Sequence, residues 1–282
     1  MLLRTTIGVE GIDALIEGGV PRGAAVLVSG EAGTGKSVLC IQFILSGIRE
    51  GEPGVFATTD HPNRILEQAA SLGWDLRGAV EDGFARVVQI GADAAPIAPP
   101  AAAESGDAEG AGPGEGAGSG AGGGPGAGGE PGAGGGPDAE APGGDTAPAG
   151  GAVDPGERVA AVIAAAASEI NAERVAIDPP LLAGSPDVSA DSSFVASLLR
   201  ASMRATHATT LITGLRVHGE TGFTRLGIEE QVVDGIVDLR IDESAGRRTR
   251  VVAIHEMHGT RTNLDDHMFA ILPGRGMVVG EA

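Results

Sequence analysis

Eight consecutive residues carry the clearest chemistry: Gly30-Glu31-Ala32-Gly33-Thr34-Gly35-Lys36-Ser37 matches G-x-x-x-x-G-K-[ST] in full. Its glycines allow backbone angles that turn successive N–H groups inward, onto the oxygens of a phosphate chain. A helix starting near Lys36 adds the positive end of its dipole. Lys36 is then expected against the β- and γ-phosphates of a nucleoside triphosphate, and the Ser37 hydroxyl on its Mg²⁺. Of the 19 bases 18 are Arg, and Lys36 is the only lysine in the chain. A site of this kind also needs an acid at the end of a neighbouring strand, to hold the metal through water. Asp178 closes the strand-like stretch Arg174-Val175-Ala176-Ile177, apolar after its first residue, and is expected in that role. Pro179 and Pro180 would stiffen the turn after it and remove two backbone donors.

Other reactive side chains form no such pattern. His255 and His258, three apart on an expected strand, point to opposite faces. No second Cys and no H-E-x-x-H completes a metal set. Cys40 reads as a small core residue on the helix after the loop, and Trp74 as a packing residue.

The elements that must position Lys36 and Asp178 follow from apolar periodicity. Residues 24–29 read as a buried strand and 37–49 as a helix with Val38, Ile41, Leu45 and Ile48 on one stripe. Strands are expected at 55–59 and 85–90, with a helix between them that Asn63 can cap. After Arg158 come a helix to Asn171, the strand ending at Asp178, a helix at about 191–205 and a strand at 209–213. Residues 236–241 and 249–256 read as two antiparallel strands, and 268–272 and 277–279 as short closing strands. The class is α/β, with a mostly parallel central sheet covered by helices on both faces and antiparallel strands at its C-terminal edge.

Composition divides the chain. Residues 101–156 hold 22 of the 48 glycines, and residues 93–157 hold 11 of the 38 acids and none of the 19 bases. Such a tract cannot bury enough apolar surface to offset its ordering entropy, so 93–157 is expected as a disordered insertion in one domain made of 1–92 and 158–282. The longest apolar run, Val159–Ala167, is nine residues, against the roughly 18 or more that cross a bilayer. With no signal-peptide pattern and the lone Cys40, the chain reads as cytoplasmic and free of membrane. A formal charge of −19 argues against general affinity for nucleic acid, which needs clustered Lys and Arg. Arg for Lys together with abundant Asp and Glu resembles proteins of salt-loving organisms, or reflects a GC-rich genome.

Further segments match a family pattern. Ile7-Gly8-Val9-Glu10-Gly11-Ile12-Asp13 and Gly18-Gly19-Val20-Pro21-Arg22-Gly23 resemble T-G-x-x-G-L-D and G-G-[IV]-P-x-G, with Ile7 in place of Thr. Gly227-Ile228-Glu229-Glu230-Gln231-Val232-Val233-Asp234-Gly235 is similar to G-V-E-E-x-x-x-D-G, and Met257-His258-Gly259-Thr260-Arg261 to part of K-M-R-G-T. Together they resemble the RecA-superfamily P-loop ATPases of the group that includes KaiC, GvpD and the archaeal RadA paralogues. The resemblance implies a RecA-like core, ATP with Mg²⁺ at residues 30–37 and Asp178, and a homo-oligomer or a related RecA-like subunit as partner. In that family paired glutamates after the second strand activate water. Asp60 and His61 stand there in this chain, and either is a candidate base. Where the family places a trans-acting Lys and Arg, this chain has Glu256 and His258. Three functions follow: a regulatory ATPase that binds ATP and hydrolyses it slowly, a recombination accessory protein acting on DNA with partners, or a non-hydrolysing nucleotide-binding signalling module.

Overall fold

The computed structural model describes residues 2–91, 153–178, 188–217, 222–243 and 246–280. In chain order the elements are β1 (Arg4–Thr5), α1 (Glu10–Leu15), β2 (Val20–Pro21), β3 (Ala25–Gly30), α2 (Lys36–Arg49), β4 (Gly54–Thr58), α3 (Pro62–Ser71), α4 (Leu76–Glu81), β5 (Ala85–Gln89), α5 (Pro155–Ile170), β6 (Arg174–Asp178), α6 (Val188–Thr206), β7 (Thr209–Leu215), β8 (Gly235–Asp242), β9 (Thr249–Met257), β10 (His267–Leu272) and β11 (Gly276–Val279), with a 3₁₀ turn at Glu229–Gln231. All belong to one compact unit. A second unit, residues 98–152, lies outside the described residues.

Strand alternation builds both faces of the sheet. In β3, Val26 and Val28 enter the core shared with α1, α2, α3 and α4, while Ala25 and Leu27 enter the one shared with α5 and α6. Phe56 and Ala176 follow the first pair, and Val55, Ala57, Val175 and Ile177 the second. The nine strands run in the order β11-β10-β9-β8-β3-β7-β6-β4-β5. From β8 to β5 every pairing is parallel, whereas β8, β9, β10 and β11 pair antiparallel. This is the expected α/β class, its antiparallel strands at one edge.

Two boundaries differ from the sequence reading. Helix α3 starts at Pro62, and its cap is His61, whose Nδ1 accepts from the Asn63 amide at 3.2 Å. Proline at the first helical position already has the required φ, which moves the cap one residue upstream of it. Helix α5 starts at Pro155, inside the expected insertion, because Asp154 caps it by accepting from Gly156 and Glu157. Residues 93–152 of that insertion lie outside the described residues. Short elements with too few turns for a period also escaped the sequence reading: β1 with β2, α1, and α4 capped by Asp75.

Arg174 is buried completely. The Arg174 guanidinium donates to Glu52 and Glu50 at 2.8 Å each, and to the Thr6 and Phe43 carbonyls at 2.8 and 3.0 Å, over the Phe43 ring. It thereby joins β6, the end of α2 and the N-terminal segment. In that segment Asp13 accepts from the Ile7 and Gly8 amides at 2.6 and 3.0 Å. Burial raises its carboxyl pKa from 3.8 to about 6, against the pull of those two amides. Folded Asp13 therefore holds its proton more tightly than the unfolded chain does. The cost of its charge is absent below pH 4 and complete above about pH 6. Melts of wild type and Asp13→Asn between pH 4 and 7 are expected to show wild type losing on the order of 2–3 kcal/mol relative to the variant as pH rises.

Candidate nucleotide site

The loop between β3 and α2 is shaped by its glycines. Gly35 caps α2 with φ +113°, a left-handed conformation that favours glycine. At Gly30 the φ is ordinary but space is missing, since a Cβ would lie 2.4 Å from the Leu239 carbonyl oxygen of β8. Thr34 is buried and its hydroxyl donates to the Glu31 carbonyl at 2.9 Å, closing the turn. Ala32 and Gly33 are exposed at its tip. The wall beside Gly35 comes from the far end of the chain: Ile271 of β10 lies where a Gly35 Cβ would fall, and Gln42 of α2 exchanges hydrogen bonds with the Met277 backbone of β11. Trp74 packs on this side against Gly276.

Lys36 opens α2 and reaches back into the loop, where its ammonium donates to the Gly30 and Glu31 carbonyls at 2.7 and 2.9 Å. Partial burial pulls its pKa below the ordinary lysine value, and the Asp178 carboxylate opposes that shift. Asp178 ends β6, two strands from β3, and is buried. Its Oδ1 accepts from the Thr213 hydroxyl of β7 at 2.6 Å, and its backbone oxygen accepts from the Thr59 amide. The fold therefore brings the loop lysine and the strand-terminal acid to the C-terminal ends of parallel strands, where open α/β sheets bind their ligands. Ser37 lies in the first turn of α2, partly exposed. Cys40, a turn later, is fully buried, and burial pushes its thiol pKa well up, which leaves it inert.

Asp60 and His61 follow β4, next to β6. Asp60 pairs with Arg64 at 3.0 Å on the surface and donates its backbone N–H to Thr58. His61 is exposed and uses Nδ1 as the α3 cap. Glu256, near the end of β9, and His258, just past it, are exposed, with His258 Nδ1 3.9 Å from Asp234. Thr213 was missed in the sequence reading; its signal was a hydroxyl at the C-terminal end of an apolar strand beside the one ending in Asp178. Among the described residues, no three His, Cys, Asp or Glu side chains converge as metal ligands, and no helix is long and apolar enough to cross a membrane.

This geometry can be set beside known proteins. The family model described as "ATPase: KaiC" matches residues 5–106 and 146–282. The chain belongs to the KaiC family of ATPases. Between the two matched stretches of this KaiC-family chain, residues 107–145 fall inside the glycine-rich tract. Full-length relatives include a UPF0273 protein of Methanopyrus kandleri, 31% identical over 271 residues that cover 95% of this chain and 88% of the relative. A UPF0273 protein of Pyrococcus furiosus is 28% identical over 282 residues, covering 99% and 94%. A circadian clock oscillator protein KaiC of Picosynechococcus matches more closely but locally, 46% over 83 residues, 29% of this chain and 16% of that one. Among solved structures, a KaiC-like protein from Pyrococcus horikoshii superposes with a TM-score of 0.67 at 24% identity, covering 100% of both chains, which supports the RecA-like fold.

Proposed function

We propose that this KaiC-family protein binds ATP with Mg²⁺ at Gly30–Ser37 and Asp178 and turns it over slowly, acting as a regulatory ATPase in the cytoplasm. The observation that carries this reading is the placement of Lys36 and Asp178 at the C-terminal ends of parallel strands on either side of β7, beside a loop in which Gly30 and Gly35 leave no room for a Cβ. The residues fit the ligand. Backbone amides of residues 31–36 and the Lys36 ammonium suit a triphosphate, while the Ser37 hydroxyl and Asp178 suit a hydrated Mg²⁺. Bound Mg²⁺ would neutralise phosphate charge. Thr213 holds the Asp178 carboxylate in place for it.

Slow turnover rests on the segment after β4. Neither Asp60, tied to Arg64, nor His61, engaged as a helix cap, is held near Asp178 by any hydrogen bond. A well-placed base contributes about 10²–10⁴-fold. Phosphate release by purified protein in high KCl is therefore expected to fall less than about tenfold in Asp60→Ala. A loss of about 10²-fold or more would make Asp60 the base and this a conventional hydrolase. A γ-phosphate can order nearby segments without rapid turnover, so the bound nucleotide sets a conformational or assembly state with a second copy or a related RecA-like subunit. An action on DNA is less favoured, because Arg248 on the β8–β9 hairpin is already paired with Glu243. Retention on DNA that weakens steeply with salt would revive it.

A further inference from the structure

The carbonyl of Gly30 accepts two donors. One is the Lys36 ammonium at 2.7 Å, and the other is the backbone N–H of Arg216, the last rung between β3 and β7, at 3.1 Å. A lysine that turns to a phosphate leaves this carbonyl, and a carbonyl left with no donor away from water is costly. Arg216 is placed to keep it satisfied. Its own backbone is fixed by its side chain, whose Nη1 donates to both carboxylate oxygens of Asp238 at 2.9 and 3.1 Å and whose Nε donates to the Gly222 carbonyl at 3.1 Å. Asp238 is fully buried on β8, opposite Ser29, one residue before the Leu239 carbonyl that lies against Gly30. The grip thus closes a ring: Gly30 to Arg216, Arg216 to Asp238, and Asp238 along β8 back to Gly30. The Ser29 hydroxyl donates to the Phe223 carbonyl, Phe223 lies under the Arg216 guanidinium, and Glu230 accepts from the Phe223 and Thr224 amides. Asp238 is also approached by Arg240 at 3.4 Å and His255 at 3.6 Å.

We propose that Arg216 and Asp238 are positioning residues of the phosphate loop: their partly buried ion pair holds the Gly30 carbonyl from the β7 side, so that Lys36 is free to engage phosphate. This rests on the nucleotide reading above. It predicts that breaking the pair weakens nucleotide binding in protein that remains folded, whereas a pair serving only the fold would change stability and leave affinity alone.

The test measures binding of a fluorescent ADP analogue with Mg²⁺ to wild type, Lys36→Ala, Arg216→Met, Asp238→Asn and Arg216→Lys, with melts to show that each is folded at the assay temperature. Arg216→Met and Asp238→Asn are expected to raise Kd about tenfold, equivalent to about 1.4 kcal/mol. Arg216→Lys keeps the charge without the Nε bond to the Gly222 carbonyl and should fall between these and wild type. Combining Arg216→Met with Asp238→Asn should weaken binding little more than either alone, because the two act as one unit. Folded Arg216→Met and Asp238→Asn proteins that bind as wild type does would overturn the proposal while leaving the nucleotide site standing. Where those two fail to fold, wild-type affinity in Arg216→Lys overturns it. Wild type binding no better than Lys36→Ala would instead remove the nucleotide reading, and this inference with it.

Discussion

Lys36→Ala is expected to abolish nucleotide binding, raising Kd by about 100-fold or more while leaving the fold intact. The side chain is the only lysine in the chain, and no other ammonium can move in to replace it. Its charge lies in the loop itself, in contact with the Gly30 and Glu31 carbonyls, and only part of its surface is removed from water. Truncation costs those two hydrogen bonds but leaves the loop glycines and the buried Thr34 turn as they are. Thermal shift gives a clean reading. A ligand at 100 times its Kd stabilises the folded protein by about 2.7 kcal/mol. Wild type should melt higher with Mg²⁺ and ATP, and Lys36→Ala should melt at one temperature with or without them. Lys36→Arg is expected to behave nearly as Ala does, because a planar guanidinium is longer and cannot act as a point charge inside a loop of this size. An unchanged ligand-induced shift in Lys36→Ala would show that the nucleotide, if bound, is bound elsewhere.

The largest expected effect on stability is at Arg174, far from the phosphate loop. Arg174→Met should cost about 3–5 kcal/mol, the usual loss when one partner of a buried ion pair is removed. Methionine fills much of the volume over Phe43 but donates nothing, so Glu52, 17% exposed, keeps only its pair with Arg22, and the Thr6 and Phe43 carbonyls lose the guanidinium. For a domain of this size the loss corresponds to a melting temperature lower by roughly 6–20 °C. Glu50→Gln should cost far less, since that carboxylate is 43% exposed and water can take the place of its partner. Chemical denaturation of the two variants side by side checks the order. A cost below about 1 kcal/mol for Arg174→Met would mean that packing, and not the ion pair, joins the N-terminal segment to α2.

What the sequence shows of this fold, and what it hides, follows a physical division. Strand β3, the loop and α2 announce themselves through local rules: an apolar run, glycines at fixed spacing, then a four-residue stripe. Asp178 was found the same way, as an acid closing an apolar strand. The cap of α3 was misplaced by two residues because Asn63 and His61 both suit a cap, and only the position of Pro62 decides between them. Arg174 could not be read at all. It stands before three apolar residues like any flanking base, and its partners Glu52, Glu50 and Thr6 lie 122, 124 and 168 positions away. Arg216 and Asp238 were hidden for the same reason, each an ordinary charged residue until the parallel register sets their strands on either side of β3.

The wall that β10 and β11 supply has a consequence in time. Gly35 leaves the ribosome more than two hundred residues before Ile271, the side chain that closes against it, and Gln42 waits as long for Met277. During that interval the glycine-rich loop hangs at the end of an unfinished sheet, its apolar neighbours uncovered. Contacts so distant along the chain form late and slowly. A nascent chain of this protein would therefore be without a finished phosphate cradle until its last strands emerge, and it is in that window that a chaperone would find most to hold.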